Sequence, residues 1–220
     1  LALLADAGHN LSDVIGLVLA WGAALAGRLR PNARYTYGWK RATILAAFLN
    51  ALLLLVAMGA LAWEAVQRLQ TSQAIEGKTI MVVAGVGIVV NTLTALMFLR
   101  GRSHDLNVRG AFLHMAADAL VSVGVVVTGG LALAFGWTWI DPVTSLLIAA
   151  VIVFGTWSLF QQSLHLLFDG VPKGVDLHAV ESLLESLPGV ARVHDLHIWA
   201  MGTSDIAMTA HLVMPEGRAD

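Results

Sequence analysis

Five apolar stretches, each long enough to cross a bilayer, constrain the fold of this chain more than any other feature. A helix needs about 20 apolar residues to span the hydrocarbon core, and its backbone polar groups must be satisfied within the helix. We therefore predict transmembrane helices at residues 1–27, 44–69, 79–99, 108–135 and 139–168. The chain is 57% hydrophobic and only 13% charged, which also indicates that lipid is its solvent.

Positive charges in the connecting segments orient these helices. Residues 28–43 carry five arginines and lysines, and residues 100–109 carry three arginines. Because such charges favour the cytoplasmic side, we expect the first and third connections in the cytoplasm. Leu1 would then lie outside, which requires one further helix before it if the full N-terminus is cytoplasmic.

The composition changes after residue 168, where Pro172 and Gly174 interrupt the helical pattern. We predict a transmembrane domain at 1–168 and a cytoplasmic domain at 169–220. In the second domain we predict an amphipathic helix at 175–187. Two strands follow at 190–199 and 205–214, joined by a turn at 201–204. The predicted class is an all-α transmembrane helix bundle followed by a partial α+β ferredoxin-like cytoplasmic domain.

Two apolar helices carry the same pair of metal-binding side chains. His9 and Asp13 in the first helix, and His114 and Asp118 in the fourth, share the spacing His-x-x-x-Asp. On a helix, residues i and i+4 lie on one face about 5–6 Å apart at Cβ. Two such helices would supply two imidazole nitrogens and two carboxylate oxygens, which suits tetrahedral Zn²⁺. An aspartate near the bilayer centre costs roughly 2.5–3.5 kcal/mol, and a bound dication offsets that cost.

The alternative for each pair is an interhelical hydrogen bond, since polar side chains often bridge membrane helices. The duplicated motif favours metal. Asp6 is expected on the same helix face as His9, one turn outward. There it would support the metal ligands or lie on an exit path; a role at the helix end is the alternative. The chain has no cysteine, so thiolate ligands are excluded.

Charge balance indicates what is exchanged for the metal. Two aspartate anions and one Zn²⁺ sum to zero, as do two protonated aspartic acids. Protons therefore compete with the metal for the same ligands, and the histidines can share this role near neutral pH. We predict Zn²⁺/H⁺ antiport by alternating access, and we expect no organic cofactor.

A second pair of histidines is predicted in the cytoplasmic domain. If residues 201–204 close the hairpin, residues whose numbers sum to 405 lie opposite each other. His194 and His211 satisfy that sum and would lie about 4.5–5.5 Å apart at Cβ, close enough to bind one ion. His197 would face the other side of the sheet. The alternative is a cross-strand pair on a solvated surface.

Four motifs stand together in the sequence: residues 3–13, residues 35–41, residues 114–118, and residues 170–172 followed by 194–199. In combination they resemble the cation diffusion facilitator family, and most of all its zinc-transporting branch. The resemblance implies a six-helix protomer, of which five helices are present here, a homodimer, and metal/proton antiport. It identifies His9, Asp13, His114 and Asp118 with the transport site. We expect Cd²⁺ to be a weaker substrate than Zn²⁺. Co²⁺ and Fe²⁺ are further candidate substrates.

The same resemblance bears on three peripheral features. Tyr35 and Trp39 stand where some bacterial members carry loop histidines, so no loop site is expected. Arg41 and Asp169 match a charge interlock near the dimer contact; a membrane-interface arginine and a helix-end carboxylate are the alternative. His194 and His211 match a regulatory cytoplasmic metal site.

Two other functions compete with transport. A haem-binding electron carrier would use histidines on facing helices but leaves the aspartates unexplained. An intramembrane zinc hydrolase needs an open coordination position, and no H-E-x-x-H motif occurs. A net charge of −2 argues against nucleic acid as a partner. We expect a secondary transporter, not an enzyme, embedded in the lipid of a bacterial cytoplasmic (inner) membrane.

Overall fold

The computed structural model describes residues 16–70, 77–103, 105–137 and 139–215. In chain order the elements are α1 (Gly16–Gly27), α2 (Ala42–Gln70), α3 (Gly77–Phe98), α4 (Leu106–Phe135), α5 (Ile140–Leu167), α6 (Leu177–Glu185), β1 (Arg192–Ala200) and β2 (Ile206–Val213). The last four predicted spans match α2 to α5 within two residues at each end. The fold class is confirmed as a helical transmembrane bundle followed by a small α+β domain. The predicted first helix before residue 16 lies outside the described residues.

The surface of the bundle is apolar. Helices α2 to α5 are each long and apolar enough to cross a bilayer. Large apolar side chains point outward from them, and Val82, Met97 and Phe154 are 70%, 82% and 81% exposed. A contiguous apolar surface of this kind is stable in lipid rather than in water. Inside the bundle, α4 packs against α2, α3 and α5, while α2 packs mainly against α5.

A polar contact joins three helices at the end of the bundle remote from the cytoplasmic domain. Arg68, near the end of α2, lies with its Nη1 3.2 Å from Asp141 Oδ2 in the first turn of α5. Thr128 of α4 donates its hydroxyl to Asp141 Oδ1 at 3.0 Å, and Arg68 also pairs with Glu64 one turn earlier. We call these four residues the outer tie, because they fix α2, α4 and α5 to one another at their outer ends.

The cytoplasmic domain consists of α6 and the β1–β2 hairpin. Asp176 begins α6 by accepting hydrogen bonds from the backbone N–H groups of His178 and Ala179, at 3.0 and 3.2 Å. Helix α6 packs against β1, and β1 pairs with β2 in antiparallel fashion.

The register of the hairpin differs from the prediction in two places that compensate each other. The connection is five residues, 201–205, rather than four, so Ala200 pairs with Ile206 and the paired numbers sum to 406 next to the turn. A bulge between His194 and His197 then restores the sum of 405. Asp195 supplies the extra residue, with a left-handed φ of 51°.

The bulge also corrects the prediction for His197. It pairs with Thr209, two residues from His211 on the regular strand, so His197 lies on the same face as His194. The prediction that it faces the opposite side is wrong, because an inserted residue reverses the alternation of side chains along the strand. The exposure pattern agrees: His194 and His197 are exposed, whereas Val193 and Ile198 are buried.

The hairpin turn docks on the cytoplasmic ends of the membrane helices. The backbone N–H of Thr203 donates to Thr43 Oγ1 at 3.1 Å, and its hydroxyl donates to Asp105 Oδ2 at 3.1 Å. Lys40 Nζ lies 3.2 Å from Asp205 Oδ2. Beneath these contacts is a small apolar cluster formed by Ile44, Leu166 and Ala200. The hairpin therefore lies on the side of the bundle where α2 and α4 begin.

Candidate metal centre

Helix α4 buries the fourth-helix pair of the predicted transport site. His114 is 9% exposed and Asp118 is 8% exposed. Nε2 of His114 lies 3.9 Å from Asp118 Oδ2, so the two side chains occupy one face, as their i, i+4 spacing predicts. Asp118 is 12 residues into α4, or about 18 Å along the helix axis, which places it near mid-membrane.

Apolar packing surrounds this pair. Ala117, next to Asp118, is 1% exposed and belongs to a core cluster with Leu54 and Met58 of α2 and Ile148 and Ile152 of α5. A carboxylate in such surroundings is costly unless a cation or a proton neutralises it. This face of α4 can therefore hold a dication or take up protons.

Asn50 of α2 lies one turn from His114 and was not predicted from the sequence. Its side chain is buried, with 8% of the residue exposed. Its amide lies between two glycines, with Oδ1 2.9 Å from the Cβ position of Gly16 and Nδ2 2.7 Å from that of Gly110. Three helices thus meet at one amide. An asparagine within a predicted transmembrane helix is the sequence feature that could have indicated a polar contact between helices.

His114 and Gly110 share one face of α4, four residues apart. Side chains on a helix lean toward its N-terminus, so the His114 imidazole leans toward the turn that holds the Asn50 amide. The Asn50 amide therefore lies against the face of α4 that carries His114, one turn toward the start of the helix.

Three predicted site residues, His9, Asp13 and Asp6, lie outside the described residues. The described part of α1 begins at Gly16, which lies against the Asn50 amide that also contacts α4. Helices α1 and α4 therefore approach each other at this depth.

The cytoplasmic cluster contains one more candidate ligand than the sequence predicted. His194 and His211 pair directly across the hairpin, with ring centroids 5.1 Å apart. The carboxylate of Asp195 lies 3.1 Å from His194 Nδ1 and 3.3 Å from His211 Nδ1. One potential ligand atom from each of the three residues lies within 4.8 Å of the others. The bulge places Asp195 here, where regular alternation would have turned it away.

Electrostatics keep Asp195 ionised. The hydrogen bond from His194 is the main cause that lowers the pKa of the Asp195 carboxyl below its ordinary value, and the charges of His194, His211 and His197 act in the same direction. An exposed carboxylate beside two imidazoles is a nitrogen and oxygen ligand set that suits Zn²⁺.

Arg41 and Asp169, the predicted charge interlock, form an ion pair. Arg41 lies just before α2, and Asp169 follows α5 with a left-handed φ of 59°. The pair thus connects the two helices at their cytoplasmic ends, next to the linker into α6. Both side chains are more than half exposed, so the contact alone contributes little stability.

Comparison with known proteins agrees with this architecture. Residues 1–168 match the cation efflux transmembrane domain, and residues 172–219 match the cytoplasmic domain of cation efflux proteins. The chain is 39% identical over 214 residues to the metal cation efflux system protein CzcD of Cupriavidus metallidurans, covering 97% of this chain and 67% of that protein.

Two further relatives are similar over nearly the whole chain. The zinc transporter ZitB of Escherichia coli is 37% identical over 214 residues, which cover 96% of this chain and 68% of ZitB. The cadmium, cobalt and zinc/H(+)-K(+) antiporter of Bacillus subtilis is 34% identical over 218 residues, which cover 98% of this chain and 70% of the antiporter. Both domain matches and these relatives place the chain, an integral membrane protein with a cytoplasmic domain, in the cation efflux family of transporters, also called the cation diffusion facilitators.

Proposed function

We propose that this protein exports Zn²⁺ from the cytoplasm in exchange for protons, using His9, Asp13, His114 and Asp118 as ligands. The observation that carries the proposal is the burial of His114 and Asp118 on one face of α4 near mid-membrane. Such a pair is costly in lipid unless it binds a cation or protons. The names of the relatives, which specify zinc or cadmium, cobalt and zinc, support the substrate class.

The contact between α1 and α4 supports the choice of partner helix. Both Gly16 and Gly110 lie against the Asn50 amide. Asp13 and His9 precede Gly16 by three and seven residues, and His114 and Asp118 follow Gly110 by four and eight. Because α1 runs toward the cytoplasm and α4 away from it, we propose that both pairs extend outward from this contact and lie opposite each other.

Proton exchange follows from the same ligands. Carboxylates and imidazoles must lose their protons to bind metal, so a proton gradient can drive release of the ion. Four nitrogen and oxygen donors favour Zn²⁺ over Cd²⁺, which prefers softer ligands. We place the protein in the bacterial cytoplasmic membrane.

Zinc flux into proteoliposomes under an imposed pH gradient tests the site. We expect Asp118→Asn to lower the flux by at least about 100-fold, since the site loses a ligand and its charge. Ser122→Ala, one turn along α4, is the matched control and should retain the flux. Unchanged flux in Asp118→Asn would rule out the proposed site. Flux that survives collapse of the gradient by nigericin would instead rule out proton exchange.

The cytoplasmic cluster supports a second, regulatory role. We propose that His194, Asp195 and His211 bind the same cation and report its cytoplasmic concentration. Their convergence within 4.8 Å favours this role over that of a solvated histidine pair. We also propose a homodimer, with the Arg41–Asp169 ion pair close to the contact between protomers.

A further inference from the structure

A large cavity lies where the bundle meets the cytoplasmic domain. Its volume is about 1060 Å³, and its walls come from the start of α4, the end of α5 and the hairpin turn. Because α4 begins and α5 ends here, the cavity lies at the level of the cytoplasmic lipid head groups. Neither the proposed transport site nor the cytoplasmic cluster uses this cavity.

Three cationic side chains line this cavity. Arg109, in the first turn of α4, is half-buried and donates from Nη1 to Gln162 Oε1 at 2.9 Å and from Nη2 to Ser158 Oγ at 3.0 Å. Arg102 lies with its guanidinium 4.4 Å from the ring centroid of Phe112. Lys173 extends from the linker after α5. Neutral groups hold both arginines, so their charges are not compensated by these contacts.

Neither carboxylate of the cavity pairs with these three cations. Asp205 pairs with Lys40, which does not line the cavity. Asp105 accepts from the backbone N–H of Asn107 at 2.7 Å and from the Thr203 hydroxyl. Within the described ranges, no carboxylate forms an ion pair with Arg102, Arg109 or Lys173. The cavity therefore carries a net positive charge.

The cavity wall is also amphipathic. Phe112, Leu113 and Leu166 line its membrane side, whereas Lys173 and the hairpin turn line its cytoplasmic side. A free anion would use only the cationic part. A phospholipid would use both, with its phosphate on the cations and its glycerol and upper acyl carbons against the apolar side.

We propose that this cavity binds an anionic phospholipid from the cytoplasmic leaflet, with the head-group phosphate between Arg102, Arg109 and Lys173. Arginine forks match the geometry of phosphate oxygens and form strong, charge-assisted hydrogen bonds. The bound lipid would contact α4, α5 and the linker to the cytoplasmic domain together. The proposal does not depend on the metal site.

Native mass spectrometry of the purified protein tests it, with phosphatidylglycerol and phosphatidylcholine as probes. We expect phosphatidylglycerol to bind at least about tenfold more tightly, and Arg102→Gln/Lys173→Gln to remove that preference. Arg100→Gln/Arg30→Gln is the control: it removes two exposed cytoplasmic-side charges that do not line the cavity. This control should retain the preference.

Three results would overturn the proposal. Equal loss in the cavity and control variants would mean that general surface charge attracts the lipid. Equal binding of the two lipids by the unmodified protein would mean that the cavity does not select an anion. Displacement of phosphatidylglycerol by millimolar inorganic phosphate, with the cavity variant insensitive to it, would identify a free anion as the ligand instead.

Discussion

Gly110→Ala tests whether the three-helix contact at Asn50 supports the transport site. The added Cβ would lie 2.7 Å from Asn50 Nδ2, whereas ordinary contact begins at 3.4 Å. The amide must therefore move by about 0.7 Å. Leu159 Cδ2 of α5 lies 3.6 Å from the same Cβ position, and the Leu159 side chain is fully buried. A shift of α4 toward α5 would therefore not relieve the contact.

The expected magnitude follows from two opposing effects. Overpacking of this kind costs about 1–3 kcal/mol, whereas glycine to alanine within a helix gains up to about 1 kcal/mol. Gly59→Ala on α2 isolates the second effect, because nothing lies within 4 Å of its Cβ position. We expect Gly110→Ala to be less stable than Gly59→Ala by about 1–3 kcal/mol.

Thermal unfolding in detergent and zinc flux in proteoliposomes measure the two consequences. Displacement of the amide would also disturb the contact between α1 and α4, one turn from His114, so we expect Gly110→Ala to lower the flux by about tenfold or more. In Asn50→Ala/Gly110→Ala the overpacking disappears, and the double variant should be more stable than the two single changes predict together. Equal melting temperature and flux in Gly110→Ala and Gly59→Ala would show that the contact at Asn50 supports neither stability nor transport.

Three further predictions concern the cytoplasmic side. Asp195→Asn should weaken Zn²⁺ binding to the cytoplasmic cluster by about tenfold, measured by calorimetry, while the exposed His178→Ala on α6 should not; equal affinities in both variants would exclude the carboxylate as a ligand. The pKa of the Asp195 carboxyl lies below its ordinary value, so we expect this carboxylate to stay ionised, and free to bind metal, from pH 7.5 to 5.5. Protonation of Asp195 within that range, followed by NMR, would contradict this prediction. Asp105→Ala removes both the cap of α4 and the hydrogen bond from Thr203, so it should lower the free energy of unfolding by about 1–2 kcal/mol. Thr203→Val removes only the side-chain hydrogen bond and should cost less. The reverse order of melting temperatures would contradict the cap assignment.

The sequence predicted the bundle well because hydropathy reports directly on the solvent around each helix. The spans and the shared face of His114 and Asp118 follow from local spacing, which is fixed by helix geometry. The role of Asn50 did not follow, because it depends on which glycines of two other helices approach it. Close approach of helices is a property of tertiary packing, and spacing within one helix does not encode it.

The hairpin shows a different limit. The opposition of His194 and His211 was predicted from a four-residue turn, yet the turn has five residues and the pairing is restored only by the bulge at Asp195. Bulges depend on a single left-handed residue and on the packing of both strand faces. For that reason, neither the third ligand nor the orientation of His197 was predictable from alternation.

The outer tie fixes α4 to its neighbours at the end remote from the cytoplasmic domain, so α4 can pivot there. Since Arg68, Asp141 and Thr128 hold α2, α4 and α5 together there, a tilt of α4 swings its cytoplasmic end most. His114 is 14 residues from Thr128, or about 21 Å along the helix axis, and Leu106 is 22 residues away, or about 33 Å. A rigid tilt of α4 about Thr128 would therefore move His114 about two-thirds as far as Leu106, and the hairpin turn, which is bonded to Asp105, would move with the cytoplasmic end of the helix.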